Sequence, residues 1–533
     1  MKPPGEHASV LIVGAGPSGL MMAAQLLRNG VQPVIIDSRK GPTDQSKALA
    51  VQARSLEIYR QLGIIDPILN GGKKANGVLF NEDGKRVSKL SLKNVGEPQT
   101  LFPYIMMYQQ SKNERLLLDY LTQNCCPVYW DTSLISFEQK PEGFDVLLKS
   151  DEVQMYLKCD WLIGADGAHS VVRKELVIPF KGDTYQHQFY LADVTLSDLD
   201  DDLLHLHLSK PGFAAFFPMP EPGRYRIVGS LSPELLAKQD LTINDIKPHL
   251  NNVAKARINI AETHWFTTYR LHHRMAESFR AQRAFLIGDA AHIHSPVGGQ
   301  GMNTGLQDAY NLAWKLAGVI NGQCLPAILD SYAAERMPVA KDLLATTDRA
   351  FTFIISDGFW NRILKKWLLP VALKKLWGSE KLRAAFFKRV SQIGISYPES
   401  VINRHLSQAT KIIAGDRLPY LKLYDEKKQV ETDLHEWCSK PGFTFIALGK
   451  LAEDELFRLA KWITFNYPNT LNFFYLPPTN KNRHIFDAFE MSANQQKTLI
   501  IRPDMYIGFT SDSIDMVKID HYLINVAGVV KVG

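Results

Sequence analysis

One short stretch near the N-terminus constrains this chain more than any other. Val10 to Val13 is an apolar run, and Gly14-Ala15-Gly16-Pro17-Ser18-Gly19 follows it. Leu20 to Asn29 then reads as a helix, with Ala23, Leu26 and Leu27 on one side and Gly30 just past its end, where a left-handed backbone is cheap for glycine. Pro33 to Ile36 is a second apolar run, closed by Asp37. The pattern is a βαβ unit whose turn fits GxGxxG. Gly14 permits the tight turn, Gly16 lets backbone approach a pyrophosphate, and Gly19 allows helix and strand to pack closely. Pro17 and Ser18 open the helix, whose free N–H groups favour phosphate. Asp37 lies 18 residues after Gly19, where a carboxylate can accept from an adenosine ribose; Ser38 and Arg39 follow it. Alone, such a turn is also a tight glycine corner with no ligand. With strand, helix and acid all present it reads as dinucleotide binding, without separating FAD from NAD.

Composition narrows the alternatives. At 533 residues, 45% hydrophobic and 22% charged, the chain is an ordinary globular one of several domains. Lys plus Arg is 61 and Asp plus Glu is 55, a formal net charge of +6. That is too mild for a dominant basic field, so no nucleic-acid partner is expected. The cysteines are Cys125, Cys126, Cys159, Cys324 and Cys438, with no CxxC. The plain reading is reduced thiols in a cytoplasmic protein, with neither a disulfide framework nor a metal site. No apolar stretch is long enough to span a membrane.

Two further motifs follow apolar strands. Residues 164 to 173 read Gly-Ala-Asp-Gly-Ala-His-Ser-Val-Val-Arg. Residues 288 to 292 read Gly-Asp-Ala-Ala-His, and Ser295-Pro296-Val297-Gly298-Gly299-Gln300-Gly301-Met302-Asn303 leads into a long helix pattern. An acid at a strand end can bind the ribityl hydroxyls of a flavin. A glycine-rich turn opening a helix can hold a group that becomes negative, as reduced flavin does.

In this order the three segments resemble the group A flavoprotein aromatic hydroxylases, the para-hydroxybenzoate hydroxylase family. The resemblance implies a Rossmann-like FAD-binding domain of the GR2 type, in an α/β fold with an inserted antiparallel-sheet substrate domain. It implies FAD contacts from Gly14, Gly16, Pro17, Ser18, Gly19, Asp37, Ser38, Arg39, Arg54, Gln110, Asp166, Gly288, Asp289, Pro296, Gly299, Gly301, Met302 and Asn303. Asp166 would serve both FAD and the nicotinamide, Asp289 the ribityl chain, and Arg54 and Pro296 would line the reactive edge. The family commonly has Glu where this chain has Asp37. The tail, with Gly415-Asp416-Arg417-Leu418-Pro419 and Ile500-Ile501-Arg502-Pro503-Asp504, looks like the thioredoxin-like domain of the phenol and polyketide hydroxylase subgroup. Only Cys438 lies in it, so it cannot act as a dithiol reductase.

The expected division is residues 1–75, 102–175 and 278–350 for FAD binding, 76–101 and 176–277 for the substrate sheet, 351–410 for helices and 411–533 for the tail. His205 and His207 alternate with leucines on a strand of that sheet. They read either as contacts to a phenolic oxygen or as solvent-facing residues. Phe216 and Phe217 read as pocket wall or as core. Residues 361–390 carry nine Lys or Arg and one acid, which fits helices with solvated lysines better than a membrane surface. The resemblance implies a monooxygenase that uses NAD(P)H, NADPH being the first choice, and O2 to hydroxylate an aromatic substrate through a flavin C4a-hydroperoxide. An antibiotic-modifying enzyme, a quinone-biosynthesis hydroxylase and a flavin-bound redox sensor are the alternatives. Homodimer formation is left open, and no residue is singled out as the general base.

Overall fold

The computed structural model describes residues 5–151, 153–199, 203–238, 240–295, 298–355, 369–492 and 494–532. At its centre is the first strand, His7–Val13, in which Val10, Leu11 and Ile12 are fully buried. An apolar run of this kind suits a parallel strand covered on both faces. Across the sheet the order is Arg280–Ala281, Ala284–Leu286, Val153–Gly164, His7–Val13, Val34–Ile36 and Val128–Tyr129. The last five strands of this order are mutually parallel. Their register sets where the glycine-rich turns lie. Val13 lies opposite both Gly164 and Ile36, and Gly164 lies opposite Leu286. The strands therefore end at one level, and each glycine-rich motif starts from that level.

The helix Pro17–Arg28 leaves the first turn with proline at its start and no side-chain cap. The 20-residue helix Gly301–Ile320 packs beside it so closely that a Cβ on Gly305 would stand 2.3 Å from the Ser18 hydroxyl.

A second sheet has eight strands, in the order His292–Ile293, Ile260–Ala276, Phe180–Leu196, Arg224–Ser230, Gly212–Pro218, Leu204–Ser209, Gly77–Glu82 and Lys85–Ser91. Leu204–Ser209 pairs in parallel with Gly77–Glu82, which brings residues near 80 into the sheet formed after residue 176. Side chains alternate between its faces. One face, with Tyr190, Ala192, Ala214, Phe216 and Ile227, packs in a core with Ile246, Leu250 and Val253 of the helix Ile243–Ala254. The opposite face presents Leu191, Asp193, Phe213, Ala215, Phe217, Arg226 and Val228, as the pairings Asp193↔Arg226, Leu191↔Val228 and Phe217↔Arg226 require. Here Arg226 donates to both oxygens of Asp193 at 2.8 Å and to the carbonyls of Lys47 and Ala48 at 3.2 and 3.3 Å. The fork clamps the sheet onto the loop that follows the first βαβ unit.

The C-terminal sheet has the order Arg404–Leu406, Ile507–Ser511, Lys497–Ile501, Phe443–Leu448 and Leu471–Leu476. Its first strand lies upstream of the boundary at 411 expected from sequence texture. Ile446, Leu448, Leu499 and Ile507 form a core of their own. Phe443, Phe445, Ile500 and Phe509, however, share the core of the N-terminal sheet. In the helical segment, residues 361–368 lie outside the described residues. Arg389 pairs with Asp342, and the Trp377 indole donates to the Ser91 carbonyl at 2.8 Å.

The closest backbone approach in the glycine turn makes a direct prediction. A Cβ on Gly19 would stand 1.9 Å from the Gly14 carbonyl oxygen. Gly19→Ala is expected to destabilise the protein by about 1–3 kcal/mol, read as a lowered denaturation midpoint.

Candidate functional site

The three motifs meet through glycines. Gly14 has φ +105°, and a Cβ there would stand 2.4 Å from the Ala165 carbonyl oxygen. Gly288 has φ +57°, and its Cβ would stand 2.3 Å from the Ser18 hydroxyl. Arg173 locks the second motif to the third. Its guanidinium donates to the carbonyls of Ala290 at 2.8 Å and Ala168 at 2.9 Å. In contrast, nothing lies within 4 Å of the Cβ position of Gly16, so the backbone there faces open space.

Two carboxylates are aimed into the junction. Asp166 accepts from the N–H groups of Val171 and Val172 through one oxygen, at 2.6 and 3.1 Å. Its other oxygen is buried with no partner. Burial pushes its pKa up. Asp289 sits on a short turn, Gly288–Ala290, between buried neighbours, yet its side chain is exposed. Burial by the surrounding protein pushes its pKa up, partly offset by His292 and Lys47. An open side chain deep among protein atoms marks the wall of a cleft.

Around Asp37 lies a polar circuit. Asp37 accepts from the Ala15 N–H at 2.7 Å and from Arg39 at 2.8, 3.0 and 3.0 Å. Arg39 also faces Glu114 at 3.5 Å, and Gln110 donates to Glu114 at 3.0 Å. The Gln110 carbonyl oxygen accepts from the Ala48 N–H at 3.1 Å. One oxygen of Glu114 is buried without a hydrogen bond, and burial pushes this carboxyl up despite Gln110 and Arg39. Ser38 is exposed beside Asp37.

Behind the Gly288 turn stands a buried support. Asp308 accepts from the Gly288 N–H at 3.1 Å, pairs with the His292 ring at 2.7 Å, and accepts from Arg336 at 2.8 Å. Burial pushes the Asp308 carboxyl up, but His292 and Arg336 outweigh it and hold its pKa at about 2. His294 bonds the Ser295 carbonyl at 2.7 Å, leaving its other ring nitrogen buried and unpartnered. Burial lowers its pKa to about 4.

Gly299, Gly301 and Met302 sit at the start of the long helix, where N–H groups lie outside the helical ladder. A Cβ on Gly299 would stand 2.8 Å from that of Ala50, and one on Gly301 would stand 3.3 Å from His294 Nε2. The Asn303 side chain is committed within the protein. Its oxygen accepts from Gln52 N–H and Ser55 Oγ at 2.9 and 2.8 Å, and its amide donates to the carbonyls of Ala50 and Gly299 at 2.9 and 2.8 Å. All four of its hydrogen-bonding positions are used, so its side chain joins two segments of the chain.

Arg54 also lies elsewhere than expected. It is 1% exposed, donates to Glu57 at 3.0 Å and to the Asp504 carbonyl at 2.7 Å, and lies over the rings of Tyr310 and Tyr506. It joins the C-terminal sheet to the core instead of lining the cleft. His205, His207 and Phe216 share the face that carries the helix Ile243–Ala254, opposite the clamp made by Arg226. Burial and the neighbouring His205 lower the His207 pKa to about 4. Pro296 lies outside the described residues. Sequence reading missed Lys47, the Asp193–Arg226 fork and Asp308; none carries a motif signal, because each acts through a partner distant in sequence.

Comparison with known proteins agrees with the geometry. The FAD binding domain family matches residues 7–347. The chain is 33% identical over 431 residues to pentachlorophenol 4-monooxygenase of Sphingobium chlorophenolicum, covering 79% of this chain and 77% of that protein. It is 35% identical over 355 residues to 6-methylpretetramide 4-monooxygenase of Streptomyces rimosus, covering 66% of this chain and 63% of that protein's length. The solved structure of the anhydrotetracycline hydroxylase OxyS from Streptomyces rimosus superposes with a TM-score of 0.78 and 26% identity, covering 98% of this chain and 99% of that one. The chain belongs to the FAD-dependent aromatic monooxygenases.

The residues of this monooxygenase fit the cofactor. The free oxygen of Asp166, the open carboxylate of Asp289 and the open space before Gly16 give one cleft both hydrogen-bonding positions and room. Gly16 has φ −77° and ψ −178°, a conformation open to any residue. Gly16→Val should therefore leave the stability of the FAD-free monooxygenase within about 0.5 kcal/mol. Its FAD affinity, read by fluorescence titration, should fall at least roughly tenfold, since a bond to a charged group contributes ~1.5–3 kcal/mol.

Asp308 predicts a pH dependence. Its folded pKa lies below the ordinary 3.8, so its contribution is present above pH ~4 and is lost as pH falls toward 2. That contribution is about 2 kcal/mol. Between these values Asp308→Asn should give a flatter stability profile in denaturant titrations than the parent monooxygenase.

Proposed function

We propose that this monooxygenase hydroxylates an extended, multi-ring phenolic compound held between the flavin cleft and the inner face of the eight-stranded sheet. One observation carries the reading. Phe213, Ala215, Phe217 and Val228 on that face are only half-buried, while the core on the opposite face is closed. Such a surface is suited to a flat apolar molecule. Its polar end is the Asp193–Arg226 fork, and the half-buried Phe213 and Phe217 stand four residues apart on one strand. At ~3.3 Å per residue the wall is about 13 Å long, longer than a single phenol. The relatives acting on pretetramide and anhydrotetracycline, as their names state, support the same size class.

Bound FAD supplies hydride acceptance from NAD(P)H and activation of dioxygen. The chain's own residues bind, orient and exclude water. Gly16 and the start of the helix Pro17–Arg28 receive the phosphates, and Asp37 the ribose. Asp289 and Asp166 receive hydroxyl groups through their free oxygens. The N-terminus of Gly301–Ile320 favours negative charge at its mouth. The apolar wall keeps the reacting edge dry. Arg226 and Asp193 neutralise each other, which leaves the fork as an orienting group. Tyr269 lies opposite Phe189 on the neighbouring strand, and burial raises its phenol, which keeps it protonated. The C-terminal strand–helix–strand, antiparallel pair and final helix fit a thioredoxin-like fold without dithiol chemistry. Burial pushes the Cys438 thiol up to about 12.

The test is catalytic. The protein with FAD should be yellow, should oxidise NADPH faster when a multi-ring phenol is added, and should return a product heavier by one oxygen atom. NADPH oxidation that no aromatic accelerates would leave a redox sensor as the better reading. The two adjacent phenylalanines separate wall from core. Phe217→Ala should raise KM for the aromatic substrate, at a smaller stability cost than Phe216→Ala, because Phe217 is only half-buried against the small cluster that includes Met107 and Met219. Phe216→Ala, fully buried on the other face, should cost about 3–5 kcal/mol and leave KM unchanged in the folded fraction.

A further inference from the structure

The C-terminal sheet is not an appendage of the flavin domain. We infer that Tyr397 and the Arg502–Asp504 corner are positioning residues for FAD, acting through Arg336 and Asp308 on the Gly288 turn. The chain of contacts is continuous. Asp308 holds the Gly288 N–H, and Arg336 holds Asp308. Arg336 also donates to the Tyr397 hydroxyl at 2.8 Å and to the Thr304 carbonyl at 3.2 Å. The Tyr397 ring lies 4.5 Å from that of Tyr506. Arg502 lies over both rings, at 5.7 and 5.5 Å.

Arg502 is fully buried and is held on two sides. It donates to Glu335 at 2.6 and 2.9 Å and to Asp504 at 3.0 and 2.6 Å. Glu335 belongs to the helix Asp330–Ile355, which also supplies Arg336. The corner from the C-terminal sheet thus sets the rotation and depth of the helix whose next residue grips Asp308. Asp504 reaches the other way as well, since its carbonyl accepts from Arg54. Buried charges of this kind are costly when one partner is lost and add little over a well-packed apolar substitute. Fixing a geometry is the role that suits them, and the geometry at the end of this chain is the turn bearing Asp289.

The inference rests on the assignment of that turn to FAD. The test uses the full-length protein. Tyr397→Phe removes one hydroxyl, and Asp504→Asn removes one charge from the corner. Ile446→Val trims the separate core of the C-terminal sheet and serves as the control for stability alone. FAD affinity is read by fluorescence titration and the bound flavin by its absorption spectrum, at a temperature where circular dichroism shows each variant folded. Tyr397→Phe and Asp504→Asn should each weaken FAD at least about tenfold and shift the flavin absorption bands, while Ile446→Val does neither. If one of the two variants does not fold, the other decides. Parental affinity and spectrum in a folded Tyr397→Phe or Asp504→Asn variant would overturn the inference, as would an equal loss in Ile446→Val. Absence of FAD binding by the parent protein would instead overturn the assignment of the turn.

Discussion

The common level at which the parallel strands end is the constraint on which the molecule depends. Val13, Gly164 and Leu286 face one another across hydrogen-bonded neighbours, so loops more than a hundred residues apart leave the sheet side by side. They can remain together only if they pass within contact of each other. Gly14 against Ala165 and Gly288 against Ser18 make that passage sterically open. Ligands gather at the carboxyl ends of strands in open α/β sheets for this reason: backbone N–H groups, helix starts and acids converge there without long side chains.

Closeness of backbone is not enough to define a binding site, because each turn must also hold its shape before a ligand arrives. The structure meets this need with buried charged side chains in addition to the apolar core. Arg173 crosses from the second motif to the third. Asp308 holds the Gly288 turn from behind. Asp193 and Arg226 clamp the eight-stranded sheet to the loop carrying Lys47. Each joins separate elements of the fold. Each also points its spare valences at a backbone carbonyl or N–H, so charge is used to fix main-chain position.

These couplings explain what was legible from sequence. The glycine motifs were readable because a tight turn, a close approach and a helix start are local demands, written within six consecutive residues. The order of strands and helices around Gly14, Asp166 and Gly288 came from them. The faces of the large sheet were not readable. Phe216 and Phe217 are both aromatic and adjacent, and a one-residue choice of register exchanges core for cavity. His205 and His207 fell on the same side as Phe216 for the same reason. Nothing local distinguishes the sides; the helix Ile243–Ala254, folded later in the chain, does.

Arg54 carries the same lesson into the site. A motif match placed it against the flavin, whereas its guanidinium meets a carbonyl 450 residues further along the chain. Its terminal nitrogens are held by Glu57 and the Asp504 carbonyl, with two tyrosine rings beneath the guanidinium. The charge of the exposed Lys47 partly offsets the burial of Asp289, and Lys47 lies on the loop that the Arg226 fork holds by its carbonyl. A flexible ammonium adapts to a ligand in a way that a locked guanidinium cannot. The site is therefore rigid where backbone shape matters and yielding where a charged side chain must meet its ligand.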